Sequence, residues 1–376
     1  MPTAAPLAPM AGLRVIDFTT VIAGPYCTRL LADCGAEVIK IETEAGDQMR
    51  IIPPISDGAS TYFAHLNCGK KSVVLDLRSE AGRSEALKLV ASADVVVENF
   101  RPGVMDRLGL KYDTLAAGRT DLVYCAISGF GQTGPRSREP AYAPMIHAAS
   151  GLDLAQMSYQ DGRTTPDKSG VFTADVMAAL FAFGAIQTAL LGRERHGTGQ
   201  FIDVAMMDAM INLLIYETQT AQFPDGPARP LFTPTRTTDG FIIIVPIGQR
   251  IFEDMADAMG HPEWKTDPRF VDGLVRRTNW PALIDAIESW TSQRTAHGAE
   301  AELTAAGIPC SRYRTVSEAM ADPQTLSRGL MAHIPDGDGG FQVPNPPFKF
   351  SDGTIGVVPS SPKLGEHTEE LLAPLG

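Results

Sequence analysis

The sequence predicts an α/β chain with one large, doubly wound, mostly parallel sheet and a second, smaller α+β domain. Three observations carry this expectation. Short Val- and Ile-rich runs alternate with helical stretches over residues 13–128, as strands of a parallel sheet joined by helices do. "LRVIDF", "GPYCTRLLADCGA" and "EVIKIE" fit strand, helix and strand into about thirty residues, the length of a βαβ unit. A Pro- and Gly-rich stretch, "FPDGPARPLFTPTRTTDG" (223–240), then changes the pattern and reads as a linker.

In order, the predicted elements are a strand at 13–18, a helix, a strand at 37–42, a strand at 72–77, a helix through "EAGRSEALKLVASA", and strands at 94–100 and 122–128. Ligands of such sheets sit at the carboxyl ends of strands, so Thr19–Ala23, Asn99–Arg101 and Ser128–Phe130 are the places to look. "VFTADVMAALFAFGAIQ" (171–187) is a helix headed by Asp175, a residue type preferred at the N-cap because its carboxylate satisfies free N–H groups. The apolar run 176–191 is shorter than the about 18–20 residues of a membrane span and carries Gln187 and Thr188, which predicts a helix buried within protein. "GRERHGTGQ" is a turn, followed by a strand "FIDVAM" and a helix through "DAMINLLIYETQTA". Beyond the linker, "FIIIVPI" is a strand, and helices "FEDMADAMG" and "WPALIDAIESWTS" fill a small domain over 241–331. The tail "DGDGGFQVPNPPFKFSDG" is rich in turn residues and is expected to lie irregularly on the surface.

The net charge of −12, without a Lys/Arg run, argues against nucleic acid or an anionic membrane as partner. Scattered Arg residues can still build a local anion pocket. Five Cys residues, odd in number and without CxxC spacing, suggest neither a disulfide framework nor zinc, and point to a reducing compartment. No basic region followed by an apolar one opens the chain, so a cytoplasmic location is expected. The seven His residues form no i, i+4 pair and no HExxH, which argues against a metal site. Glu42 stands where a ribose-binding acid would, yet "TTVIAGP" lacks GxGxxG, "SGFGQTG" and "HGTGQ" lack the P-loop Lys, and GxSxG is missing. His147, in the apolar run "PMIHAASGL", reads either as a satisfied core histidine or as a pocket residue.

"GLRVIDFTTVIAGPYCTRLLADCGAEVIKIE", "NCGKKSVVLDLRSEAG", "ADVVVENFRPGVMDRLGL", "SGFGQTGP" and "GRERHGTGQFIDVAMMDAM", in this order over about the first 210 residues, resemble the family III acyl-CoA transferases, the CaiB/BaiF group. The resemblance implies a Rossmann-like large domain, 1–222 completed by 332–376, and an interlocked homodimer. It implies coenzyme A and acyl-CoA as substrates, with no permanently bound cofactor, and a carboxylic acid acceptor. Its covalent nucleophile is an Asp upstream of the GxGQ turn, which falls here on Asp175. Its CoA contacts fall on Val21, Ile22 and Ala23, on Leu75 and Arg78, and on Asn99, Phe100 and Arg107. Guanidinium groups at Arg78 and Arg107 suit phosphates; each reads equally as a surface Arg.

Some positions depart from the family pattern. Thr43 stands where some members have a basic residue, Ala143 replaces a common acid, and His147 replaces a frequent Gln. Tyr142 and His147 are assigned to the substrate pocket. Two rivals stay open: an α-methylacyl-CoA racemase, whose His falls at Tyr142, a phenol with an ordinary pKa of about 10 and so a poor base, and a non-catalytic CoA-binding protein. Arg229, Arg236, Arg250, Arg276 and Arg277 could receive a second carboxylate, and a short or dicarboxylic acid is the expected acyl group.

Overall fold

The computed structural model describes residues 8–226 and 229–375. The leader-free reading of residues 1–7 and linker positions Pro227 and Ala228 lie outside the described residues. The chain divides into two compact units, Met1–Gln222 with Leu326–Gly376, and Phe223–Thr325.

The larger unit is built on six strands: β1 (Arg14–Asp17), β2 (Glu37–Glu42), β3 (Lys71–Val74), β4 (Val95–Glu98), β5 (Val123–Ser128) and β6 (Phe201–Ala205). Their order is β3-β2-β1-β4-β5-β6, with every neighbouring pair parallel. The order reverses between β1 and β4, so a crevice opens beyond their carboxyl ends. Alternate residues face opposite sides. Val15, Val38, Val97 and Ile127 enter one apolar cluster, and Ile16, Ile39, Val96 and Tyr124 the other. Helix α1 (Ala23–Asp33) covers the first face, and α2 (Glu80–Ala91), started by Ser79 accepting from the Gly82 N–H, covers the second.

After β5 come α3 (Ala143–Ser150) and α4 (Thr173–His196). Ala174, Ala178, Ala182 and Ile186 form a buried stripe of α4 at helical spacing, and their small side chains let it pack closely on α1. The expectation of a helix buried all round is corrected: at 24 residues α4 is long and apolar enough to cross a membrane, but it is a core helix with one face on the sheet. Leu180, Phe181 and Leu191 are exposed on its other side. The "GTGQ" turn that follows is architectural. Gly197 caps α4 at φ +72°, and a Cβ on Gly199 would stand 2.1 Å from the Leu122 carbonyl oxygen.

The tail meets the expectation of an irregular surface segment only in part: 336–344 belongs to a hairpin, while 345–353 carries no helix or strand and is mostly exposed. Strands Met331–Asp336 and Gly339–Pro344 form this hairpin, closed by the two-residue turn Gly337-Asp338 with Gly337 at φ +55°. Ile334 and Val343 bury against Ala64 and Cys68. The segment is tied to the large unit by Arg29 donating to the Pro344 carbonyl at 2.6 Å and by Val74 N–H donating to Thr368 Oγ1 at 3.1 Å.

In the smaller unit, β7 (Thr235–Arg236), β8 (Phe241–Ile244) and β9 (Cys310–Arg312) make an antiparallel sheet in the order β9-β8-β7. The end of the predicted linker therefore pairs as a strand. Helices Gln249–Ala258, Trp280–Thr291 and Ala296–Ala305 pack on it around Phe252, Met255, Leu283, Trp290 and Leu303.

Candidate active site

The turn after β1 is held from beneath by buried charge. Asp17 Oδ1 accepts from the Thr19 N–H at 2.8 Å and its hydroxyl at 2.5 Å. Its Oδ2 accepts from Thr28 at 2.7 Å and pairs with Lys70 at 2.9 Å. Lys40 donates to the Thr19 carbonyl at 2.7 Å and pairs with Asp47 at 3.0 Å. The Asp47 carboxylate accepts from the Val21 N–H at 3.3 Å. Burial alone would raise the Asp17 carboxyl, but the charges of Lys70 and Lys40 and the hydroxyls of Thr19 and Thr28 bring it down to about 2. Charges out of water persist only when paired and hydrogen-bonded in this way.

The network carries a strained residue. Val21 has φ +72°, a left-handed conformation that a β-branched side chain resists. The close approach of the turn to α1 requires a glycine: a Cβ on Gly24 would lie 2.3 Å from the Thr19 side chain. From β4, Asn99 clamps the turn through two bonds to Thr20, accepting from its N–H at 2.9 Å and donating to its carbonyl at 2.8 Å. Glu42 is engaged by Arg50 at 2.5 Å and Ser72 at 2.7 Å, so it is a structural residue.

Asp175 is the third residue of α4; the N-cap is Phe172, which corrects the N-cap assignment. Its carboxylate faces the backbone N–H of Ala23, the first residue of α1. Two helix N-termini thus converge on one carboxylate. Burial raises the Asp175 carboxyl to about 6, and the Ala23 N–H opposes the rise.

A cleft of about 250 Å³ opens over this point. Thr20, Val21 and Ala23 line it from the β1 turn, Asn99, Phe100 and Arg101 from the β4 turn, and Ser128 and Gly129 from the end of β5. Asp175 and Tyr142 also line it. The structure thus brings together the three predicted loops and the predicted carboxylate.

Other predicted residues lie elsewhere. Ile22 is buried with Met49, Phe63 and Leu66, and Leu75 is buried in the cluster beneath α2. Arg78 and Arg107 are exposed; Arg78 follows β3, and Arg107 ends the short helix Val104–Arg107 that comes after β4. His147 is buried away from the cleft lining. Its Nε2 accepts from the Ala174 N–H at 3.0 Å, so the ring proton is on Nδ1, which meets Ser169 Oγ at 2.8 Å. Burial lowers its pKa, with Asp153 opposing. The neutral ring serves as the cap that Phe172 cannot provide.

Sequence reasoning missed Gln48 and Glu139, which line the cleft, and Tyr62, whose pKa is raised by burial and by the nearby Asp175 charge. No periodicity marks these three. Among the described residues no group of His, Cys, Asp and Glu could hold a metal ion.

Residues 10–368 match the family described as "CoA-transferase family III". The chain belongs to CoA-transferase family III. The transferase is 38% identical to the acetyl-CoA:oxalate CoA-transferase of Acetobacter aceti, over 97% of this chain and 95% of that one. It is 32% identical to the succinate–glutarate CoA-transferase of Agrobacterium fabrum, over 98% and 96% of the two chains. A CaiB/BaiF family protein from Brucella suis has the same fold, with a TM-score of 0.86 and 34% identity, covering 99% of this chain and all of that one.

Proposed function

We propose that Asp175 is the covalent nucleophile of the transferase and that its acyl groups are short dicarboxylic acids. The observation that carries the first part is the position of its carboxylate, in the cleft wall where the N-termini of α1 and α4 meet. A carboxylate ionised above about pH 6 needs no separate base to attack. It would add to the thioester carbonyl of the donor, releasing CoA thiolate and leaving a mixed aspartyl anhydride. The thiolate then attacks the aspartyl carbonyl, and the donor acid departs from an aspartyl-CoA thioester. The acceptor carboxylate attacks that thioester, a second anhydride forms, and CoA thiolate returns to the new acyl carbon, freeing Asp175. Thioester energy is kept throughout, so the exchange needs no ATP.

Val21, Ala23, Asn99 and Phe100 line the cleft and are proposed to receive the pantetheine end of CoA through their loops. Arg78 and Arg107, both exposed, are proposed to meet its phosphates. Ile22 and Leu75 would act through backbone alone, since their side chains are core. Oxalate, succinate and glutarate in the names of the relatives support the dicarboxylate. The engagement of both His147 nitrogens away from the cleft favours transfer over α-proton exchange, which needs a second acid or base.

The apolar face of α4, with Leu180, Phe181 and Leu191 exposed, supports a homodimer. Acyl-CoA incubation followed by intact mass measurement tests the nucleophile. A CoA adduct present in the unmodified protein and missing from Asp175→Ala is expected, and equal labelling of both would refute the assignment. A screen of acetyl-, succinyl- and glutaryl-CoA against oxalate, succinate, glutarate and benzoate tests the acyl class; transfer to benzoate alone would overturn it.

A further inference from the structure

Ser128 ends β5, with its backbone paired beside Ala205 of β6, and its side chain is only 7% exposed. Its Oγ has no hydrogen-bond partner among the described residues. Buried hydroxyls are nearly always paired, and one left alone is a liability to the fold that calls for an explanation. Other buried side-chain polar atoms without a hydrogen-bond partner lie on Asp33 (Oδ1), Gln132 and Asp336. Of these residues and Ser128, only Ser128 lines the cleft that contains Asp175.

The position is fixed rather than adaptable. A Cβ on the following Gly129 would stand 2.1 Å from that of Ala141, and the Gly129 carbonyl accepts from the Met207 N–H at 3.0 Å. The hydroxyl therefore sits on a strand end locked on both sides, the placement from which a side chain aims a hydrogen bond with little loss of freedom.

We propose that Ser128 contacts the substrate, its Oγ–H donating a hydrogen bond to an oxygen of the acyl group held beside Asp175. The inference rests on the reading of Asp175 as nucleophile, which brings that acyl group into this cleft. The chemistry suits it: thioesters, anhydrides and carboxylates all offer carbonyl-type oxygens, and a hydroxyl is a donor able to follow the oxygen as its charge changes.

The test separates a ligand contact from a fold contact, because the two roles move stability in opposite directions. Ser128→Ala removes an unpaired buried hydroxyl, so the thermal midpoint of the ligand-free protein is expected to stay the same or rise. With the fastest donor and acceptor pair of the screen above, its kcat/KM for the acceptor is expected to fall ten- to a hundredfold, equivalent to about 1.4–2.8 kcal/mol. Ser128→Thr, which keeps the hydroxyl, is expected to retain at least a third of the activity. Kinetics of Ser128→Ala within twofold of the unmodified protein, a ligand-free midpoint lowered by several degrees, or a Thr variant as impaired as Ala would each overturn the proposal. Failure of the Asp175 reading would show separately, as no CoA adduct on the unmodified protein.

Discussion

The Nε2 atom of His147 caps the N–H of Ala174 at 3.0 Å, one residue before Asp175. It fixes the first turn of α4, and it can do so only while neutral. His147→Ala is expected to cost about 1–2 kcal/mol of stability, as lost caps do, and His147→Gln to recover most of it through its amide oxygen. The folded pKa lies below the ordinary 6.5 because burial disfavours the charged ring. Its contribution is therefore complete above pH 6.5 and lost as pH falls below it. Thermal midpoints from pH 8 to 5 should drop more steeply for the unmodified protein than for His147→Gln; parallel curves would show that the ring does not titrate in the fold.

Asp175 has the opposite sign. Its folded pKa of about 6 lies above the ordinary 3.8, again through burial. The neutral carboxyl favours the fold at low pH, and that contribution is lost as pH rises through about 6. Asp175→Asn is expected to be inactive yet more stable at pH 7.5, by on the order of 1–2 kcal/mol. In the unmodified protein log kcat/KM should fall with unit slope below about pH 6. An Asn variant less stable than its parent would mean that the two helix N-termini outweigh desolvation.

Val21 stores strain against the buried network. Relieving φ +72° with Val21→Gly recovers about 1–3 kcal/mol of strain against about 0.5–1 kcal/mol of added chain entropy. A small rise in thermal midpoint is expected, with a severalfold higher KM for acyl-CoA from the loosened turn. Asp47→Ala acts from the other side. It strands Lys40, fully buried beside it, and is expected to cost about 3–5 kcal/mol. Denaturant unfolding of both variants measures the contrast, and a destabilised Val21→Gly would remove strain as the explanation.

The framework of the large unit was legible because parallel strands buried on both faces read as plain Val/Ile runs, and the three ligand loops follow from where those runs end. Lys40 inside "EVIKIE" and Asp17 inside "LRVIDF" carried a readable signal as well, since a charge within a buried strand demands a partner; which partner was not readable, as Lys70 lies far along the chain. Tyr62 was hidden for a different reason: its proximity to Asp175 arises from tertiary packing and leaves no local pattern. The hairpin at 331–344 was missed because Pro and Gly residues dilute the alternation of its two six-residue strands, although Gly337-Asp338 is a turn signal.

The exposed face of α4 makes the last prediction. Leu180, Phe181 and Leu191 are 43%, 44% and 52% exposed on a helix whose opposite stripe is fully buried. A second copy covering them would satisfy the apolar surface. If the two chains are threaded through one another, separation requires unfolding, so dilution should not dissociate them. Sedimentation at micromolar and nanomolar concentration is expected to give one and the same dimer, and its thermal midpoint should rise with concentration because unfolding and separation are one step. Phe181→Glu places a charge on this apolar face and, if a second copy covers it, should yield aggregate or unfolded chain rather than a stable monomer. A folded, active monomer from that variant, or a wild-type monomer at nanomolar concentration, would reject the threaded arrangement.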